Sequence, residues 1–181
     1  LENTIQKTGV PREIISDDGS DLKAGINIFL EKHSETSRVY DIKHKTASLL
    51  KQAFKNDTDW QIFLKKAALT KMQLQQTELA FLAPPNQRSK ARYMNIDTMI
   101  TWGCNILIFI AKETKNPSGK FNHKKMEEKL DWIVEMSSQM HAWKNIMSVV
   151  EVSESFVRSQ GLSQNSESAL EIELNKLNLT K

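Results

Sequence analysis

The feature that most limits the fold is helical periodicity throughout the second two thirds of the chain. From Asp57 onward, apolar residues recur at steps of three and four, and no stretch alternates as a half-buried strand would. Pro84-Pro85 and the turn at 116–119 interrupt the pattern, because proline cannot continue a helix. The periodicity predicts long helices beginning at Asp57 or Thr58 and running toward Leu82, over about 96–112, and over about 124–152.

Strand signals occur only before residue 57. Short apolar segments at 13–16 and 38–41 are bounded by turn residues and are predicted to be strands. A helix capped by Ser20 or Asp21 is expected after the first segment, and a helix beginning at Ile42 is expected after the second. The fold class predicted is therefore mostly α with a small α/β portion.

The predicted domains are a small α/β portion at 1–56 and an all-helical portion at 57–181. The hydrophobic content of 39%, the charged content of 26% and the net charge of +3 are typical of a soluble globular protein. The longest apolar stretch, 106–111, is far shorter than the ~20 residues that span a bilayer, so no membrane partner is expected. One cysteine excludes an internal disulfide, which fits a cytoplasmic location. Only six glycines occur, with no glycine-rich phosphate loop, so no nucleotide cofactor is expected.

Three aspartates follow the first predicted strand: Asp17, Asp18 and Asp21. A strand that ends at a helix start places its last side chain at the carboxyl edge of a sheet, where open α/β sheets bind ligands. Carboxylate oxygens suit Mg²⁺ or Mn²⁺, and Asp17 is the candidate ligand. Asp18 suits the turn, and Asp21 suits the positive end of the helix dipole. The same residues also fit an ordinary turn followed by a helix cap, and that alternative stays open.

Residues 15–21, Ile-Ser-Asp-Asp-Gly-Ser-Asp, resemble the second carboxylate strand of DDE-type transposases and integrases with an RNase H-like fold. The family pattern there is two apolar residues, Ser or Thr, Asp, a polar residue and Gly. The resemblance implies that Asp17 is the second catalytic carboxylate and binds Mg²⁺ or Mn²⁺. It also implies metal-dependent phosphodiester hydrolysis and strand transfer on DNA.

Two further stretches are similar to transposases. Residues 39–51 resemble the strand-to-helix step that follows the carboxylate strand, where hobo/Activator-type transposases carry Cys-x-x-His. Here Asp41-x-x-His44 takes that place, so the cysteine is replaced. The resemblance makes His44 a supporting or DNA-facing group, while a polar histidine at a helix start is the alternative. Residues 75–95 resemble a segment of bacterial insertion-sequence transposases.

A basic cluster follows the proline pair. Arg88, Lys90 and Arg92 can pair with phosphates and would make DNA binding depend on salt. Tyr93, beside them, could stack on a flipped base. A solvated surface with an ordinary core tyrosine is the alternative reading of these four residues.

An RNase H-like site needs three carboxylates, and the resemblance assigns only Asp17 here. The chain opens without Met and closes on a helical pattern, so we expect an internal fragment: part of an RNase H-like core followed by an all-helical insertion. The first carboxylate is then expected before Leu1 and the third beyond Lys181. Alone, such a fragment should bind metal poorly and be inactive. The alternative is a non-catalytic helical interaction or DNA-binding module, and a homo-oligomer is a possible assembly.

Overall fold

The computed structural model describes residues 2–17, 19–87, 93, 96–177 and 179. It is mostly helical with a small two-stranded parallel sheet, which confirms the fold class predicted from the sequence. The chain divides into two compact units, residues 1–49 and 50–181. This division falls within a helix, a few residues before the boundary drawn from the sequence at 56.

The elements of the described residues follow in one order along the chain. They are α1 (Glu2–Thr8), β1 (Glu13–Ser16), α2 (Ser20–Lys32), β2 (Ser37–Tyr40), α3 (Ile42–Phe54), α4 (Thr58–Leu74), a short 3-10 helix (Ala80–Leu82), α5 (Ile96–Lys115), α6 (His123–Glu135), α7 (Ser137–Gln160) and α8 (Ser166–Asn175). None of the helices within these described ranges combines the length and apolarity that a membrane span requires.

In the first unit, β1 and β2 pair in parallel, and α2 packs on β1 through a buried apolar face. The predicted strand at 13–16 is confirmed, whereas β2 begins one residue earlier than predicted and ends at Tyr40. The predicted caps of α2, Ser20 and Asp21, are wrong. Gly19 holds the cap position and no side chain accepts a hydrogen bond there, because Ser20 is already the first helical residue.

The second unit has a core of two neighbouring clusters of buried side chains from α4 to α7. The first is rich in aromatic rings, and the second is mainly aliphatic. The first contains Leu50, Phe54, Trp60, Phe63, Ala67, Ile96, Met99, Ile100, Met136, Met140 and Trp143, and the second Leu74, Leu79, Leu82, Ile106, Ile110, Met126, Leu130 and Ile133.

The helix predicted from Asp57 toward Leu82 is shorter than expected. The cap is confirmed, since Asp57 Oδ1 accepts from the backbone N–H of Trp60 at 3.0 Å. The helix ends at Leu74, because the Thr77 hydroxyl donates to the Leu74 carbonyl at 3.0 Å and accepts from the Leu79 N–H at 3.2 Å. A threonine that bonds to neighbouring backbone offers the chain an alternative to the next helical turn.

The single helix predicted over 124–152 is two helices. Met136, between α6 and α7, has φ −98° and ψ 16°, away from helical geometry. Ser137 and Ser138 follow it, and serine pairs are common where helices bend. The stripe of buried side chains nevertheless continues across the break, with Ile133 and Met140 fully buried on either side. The last predicted cap, Ser163, is also wrong, since α8 begins three residues later at Ser166.

Gly103 marks the closest approach of α5 to its neighbours. A β-carbon at this position would lie 2.5 Å from Met140 Sδ and 3.5 Å from the ring of Phe63. Any side chain there would have to displace Met140, so the glycine allows α5 and α7 to pack closely.

Candidate carboxylate site at the sheet edge

Parallel pairing brings two aspartates to the same edge of the sheet. Ser16, the last residue of β1, pairs in register with Tyr40, the last residue of β2. Asp17 and Asp41 are the next residues of the two strands, and the Asp41 N–H donates to the Ser16 carbonyl at 2.8 Å. Both carboxylates therefore leave from the carboxyl edge, as the sequence predicted for Asp17.

Asp17 is exposed and bends over the turn that follows β1. Its Oδ1 accepts from the Gly19 N–H at 3.2 Å, a hydrogen bond across two residues. A β-carbon on Gly19 would lie 3.4 Å from the same oxygen, so a larger residue would still fit at ordinary contact distance. This geometry serves an ordinary turn and leaves the carboxylate open to solvent, so it is compatible with both interpretations of the acidic turn.

Asp41 begins α3 in the way a helix cap does. Its Oδ1 accepts from the Lys43 N–H at 2.8 Å, and the residue is half-buried. His44 is also half-buried and lies in the first turn of the same helix, three residues after Asp41. The position of His44 matches the strand-to-helix step that the sequence predicted.

Ser16 is a buried polar residue directly before Asp17. Its side chain is 4% exposed, and its Oγ has no hydrogen-bond partner among the residues that the structure describes. A buried hydroxyl without a partner costs free energy. The end of β1 therefore carries a polar group whose burial is not compensated within the described residues, and such groups are often found beside functional sites.

The sheet edge supplies only part of a metal site. Mg²⁺ takes six oxygen ligands in octahedral geometry, several of them commonly water. In the described ranges no three His, Cys, Asp or Glu side chains are grouped so that they could hold a metal ion. Asp17 and Asp41 are the correct chemical type for Mg²⁺ or Mn²⁺, and one oxygen of each is engaged by a backbone N–H.

Several predicted residues lie outside the part of the chain that the structure describes. Arg88, Lys90 and Arg92, the candidate DNA contacts, are among them, as is Asp18. Tyr93 is half-buried and packs against the aromatic-rich core cluster, which matches the alternative of an ordinary core tyrosine.

The sequence reasoning missed the placement of Asp41 beside Asp17. It treated Asp41 as the last residue of a strand and as a substitute for the family's cysteine. The signal was present, since each short apolar segment is followed at once by an aspartate and then by a helix. Two strands that end this way in a parallel sheet bring their terminal residues together.

Comparison with protein-family models, with curated proteins and with solved structures finds no match for this chain. The function is therefore argued from the geometry of its own residues.

Proposed function

We propose that this chain is part of a DNA transposase, comprising a partial RNase H-like core and a helical insertion, with Asp17 as one catalytic carboxylate. The observation that carries the proposal is the position of Asp17 at the end of β1, beside Asp41 at the end of the parallel strand β2. The reaction class is metal-dependent phosphodiester hydrolysis and strand transfer, and the partner is DNA.

The size and exposure of the sheet support a larger core. Parallel sheets are normally covered on both faces, and a two-stranded sheet is marginal in water. Here Ile15, in the middle of β1, is 64% exposed. A β-branched apolar residue at this position is suited to a sheet whose second face is covered, as it is in an RNase H-like core.

The chain's residues have separate roles in this proposal. Asp17, with Asp41 as a neighbouring acid, would hold Mg²⁺ or Mn²⁺ together with further carboxylates of the transposase. The bound metal would activate water and stabilise the leaving oxygen of a phosphodiester. His44, in the first turn of α3, is placed to contact DNA near the sheet edge. Arg88, Lys90 and Arg92 would pair with phosphates.

The proposal is tested by changing Asp17 to Asn in the complete transposase. Strand cleavage with Mg²⁺ or Mn²⁺ should be lost, while the affinity for DNA is unchanged, because the carboxylate binds the metal and not the phosphates. Asp21→Asn is the matched control, since Asp21 is an exposed aspartate in the first turn of α2. Cleavage that survives Asp17→Asn would remove Asp17 from the reaction and contradict the proposal.

A second candidate is a non-catalytic helical interaction module. It is favoured by an apolar row on the outer face of α4, where Ile62, Leu69 and Met72 are 41%, 58% and 76% exposed. Apolar rows of this kind mark contacts with other proteins. The two candidates separate in the same experiment, because a module of this class would lack metal-dependent cleavage in any context.

A further inference from the structure

Three phenylalanines from distant parts of the helical unit form a cluster at its surface. The Phe81 ring meets Phe109 edge-on at a centroid distance of 5.8 Å and lies 6.0 Å from Phe121. Phe109 and Phe121 are 5.8 Å apart and pack inward against the aliphatic core cluster. Phe81 lies outermost and is 62% exposed.

The exposed ring of Phe81 is carried on a firmly held backbone. It belongs to the short 3-10 helix, in which Leu82 is buried, and Leu79 is buried directly before that helix. The indole Nε1 of Trp102 donates to the Leu82 carbonyl at 3.0 Å, which ties the segment to α5. The ring is therefore presented to solvent by a fixed scaffold, although it remains largely uncovered.

Lysines border this cluster in the segment from the end of α5 to the start of α6. Residues 111–125 contain five lysines and one glutamate. The glutamate, Glu113, is 6% exposed, and its Oε2 accepts from the Ser118 N–H at 2.9 Å. Lys112 follows Phe109 by one helical turn, and Lys120 directly precedes Phe121, so positive charge adjoins the rings along two elements.

We propose that this surface binds an unpaired DNA strand, with a base stacked on Phe81 and phosphates held by the lysines. We call it the Phe–Lys surface, and it consists of Phe81, Phe109, Phe121, Lys112, Lys115 and Lys120. Grooves that bind single strands combine aromatic platforms with positive charge, and stacking tolerates any base because every base has a π face. Taking DNA as the polymer rests on the proposed function.

The charge of the surface favours nucleic acid over a protein partner. Protein interfaces are enriched in aromatic residues but depleted in lysine. Lys115 and Lys120 are exposed and form no ion pair with any residue in the described ranges. A polyanion supplies the countercharge that these lysines lack.

The first test measures binding of a radiolabelled oligothymidine of about 16 nucleotides to the 181-residue chain by filter binding. Phe81→Ala should weaken binding by about tenfold, because the platform for one stacked base is removed. Phe81→Trp should restore the affinity, whereas Phe81→Leu, which is apolar but has no π face, should not. Met72→Ala is the matched control, since Met72 is 76% exposed on another helix.

The second test measures how the affinity depends on salt. The double change Lys112→Ala and Lys120→Ala should reduce the slope of log affinity against log salt by about 1.4, because each phosphate of a single strand that a lysine neutralises adds roughly 0.7 to that slope. Lys51→Ala with Lys65→Ala removes two exposed lysines elsewhere and should leave the slope unchanged.

Three results would overturn the inference. They are no measurable binding of the oligothymidine, equal binding by the wild-type chain and Phe81→Ala, and self-association measured by light scattering that depends on Phe81. The failure of this inference is separable from that of the proposed function. Loss of cleavage in Asp17→Asn, together with normal strand binding by Phe81→Ala, would discard only the Phe–Lys surface.

Discussion

The indole Nε1 of Trp143 donates to Oδ2 of Asp57 at 3.2 Å, while Oδ1 of the same carboxylate caps α4. One side chain thus satisfies an orphan N–H at a helix start and the buried donor of a tryptophan from α7. Trp143 is 4% exposed, so water cannot readily replace the bond. The first turn of α4 and the middle of α7 are held in register by this pair of hydrogen bonds.

Replacing Asp57 with Ala should lower the free energy of unfolding by about 2–4 kcal/mol. This destabilisation combines a helix cap, worth about 1 kcal/mol, with a buried donor left without a partner, worth about 1–3 kcal/mol. Urea unfolding followed by circular dichroism measures it. Asp57→Asn, which keeps an acceptor oxygen, should be less destabilising, and Asp131→Asn, at an exposed position on α6, should change little. An alanine variant as stable as the wild type would show that the two bonds are not both formed.

Gly103→Leu should destabilise the helical unit by about 1–3 kcal/mol or more, because the new side chain would enter the space of Met140 and Phe63. Adding Met140→Ala should recover part of the stability, and a double-mutant cycle in urea measures that coupling. Gly25→Ala is the contrasting control, since a β-carbon there meets nothing within 4 Å. That change should stabilise α2 by about 1 kcal/mol. Additive effects of the Gly103 and Met140 changes would rule out the predicted clash.

The loop between α5 and α6 should loosen in acid. The Ser118 N–H, with a smaller contribution from His123 at 3.4 Å, holds the pKa of Glu113 below its ordinary value of 4.5. A depressed folded-state pKa gives stability that is fully present above the unfolded value and is lost as pH falls through the folded value. Hydrogen exchange of the Ser118 N–H, compared at neutral pH and at about pH 3, measures the change.

The matched variants for this acid effect are Glu113→Gln and Glu128→Gln. Glu113→Gln should expose the Ser118 N–H already at neutral pH and show little further change in acid, because the ionisable acceptor is gone. Glu128 is exposed on α6, and its replacement should leave the acid response unchanged. Equal protection of Ser118 in the wild type and in Glu113→Gln would assign the acid response to another group.

The isolated chain should bind Mn²⁺ only weakly, with a dissociation constant on the order of millimolar, because few carboxylates converge at the sheet edge. Electron paramagnetic resonance of Mn²⁺ titrated with protein measures the free ion. Joint replacement of Asp17 and Asp41 by Asn should abolish the weak binding, and replacement of Asp21 should not. Tight binding that survives the joint replacement would locate the metal elsewhere.

The sequence predicted those elements whose signals are local. The apolar pair Ile14-Ile15 between turn residues identified β1, and Asp57 before an apolar helical period identified the start of α4. The break at Met136 was missed because the buried stripe continues through it, and periodicity reports only which face is buried. The end of α4 depends on hydrogen bonds of the Thr77 hydroxyl, which the pattern of apolar residues does not encode.

The candidate sites show the same limit. Asp17 could be named from a short motif, whereas its proximity to Asp41 depends on parallel pairing of strands 24 residues apart in register. The Phe–Lys surface joins residues from three separate elements, and each phenylalanine taken alone resembles an ordinary core residue. Contacts between distant segments come from tertiary packing, which a single sequence does not display.

All four tryptophans, at positions 60, 102, 132 and 143, belong to the helical unit, and the unit that carries the sheet edge has none. Indole emission will therefore report the unfolding of one unit only, while far-ultraviolet ellipticity reports both. If the two signals change at different denaturant concentrations, the sheet-bearing unit can melt on its own, and the stability of its acidic edge becomes measurable without a mutation.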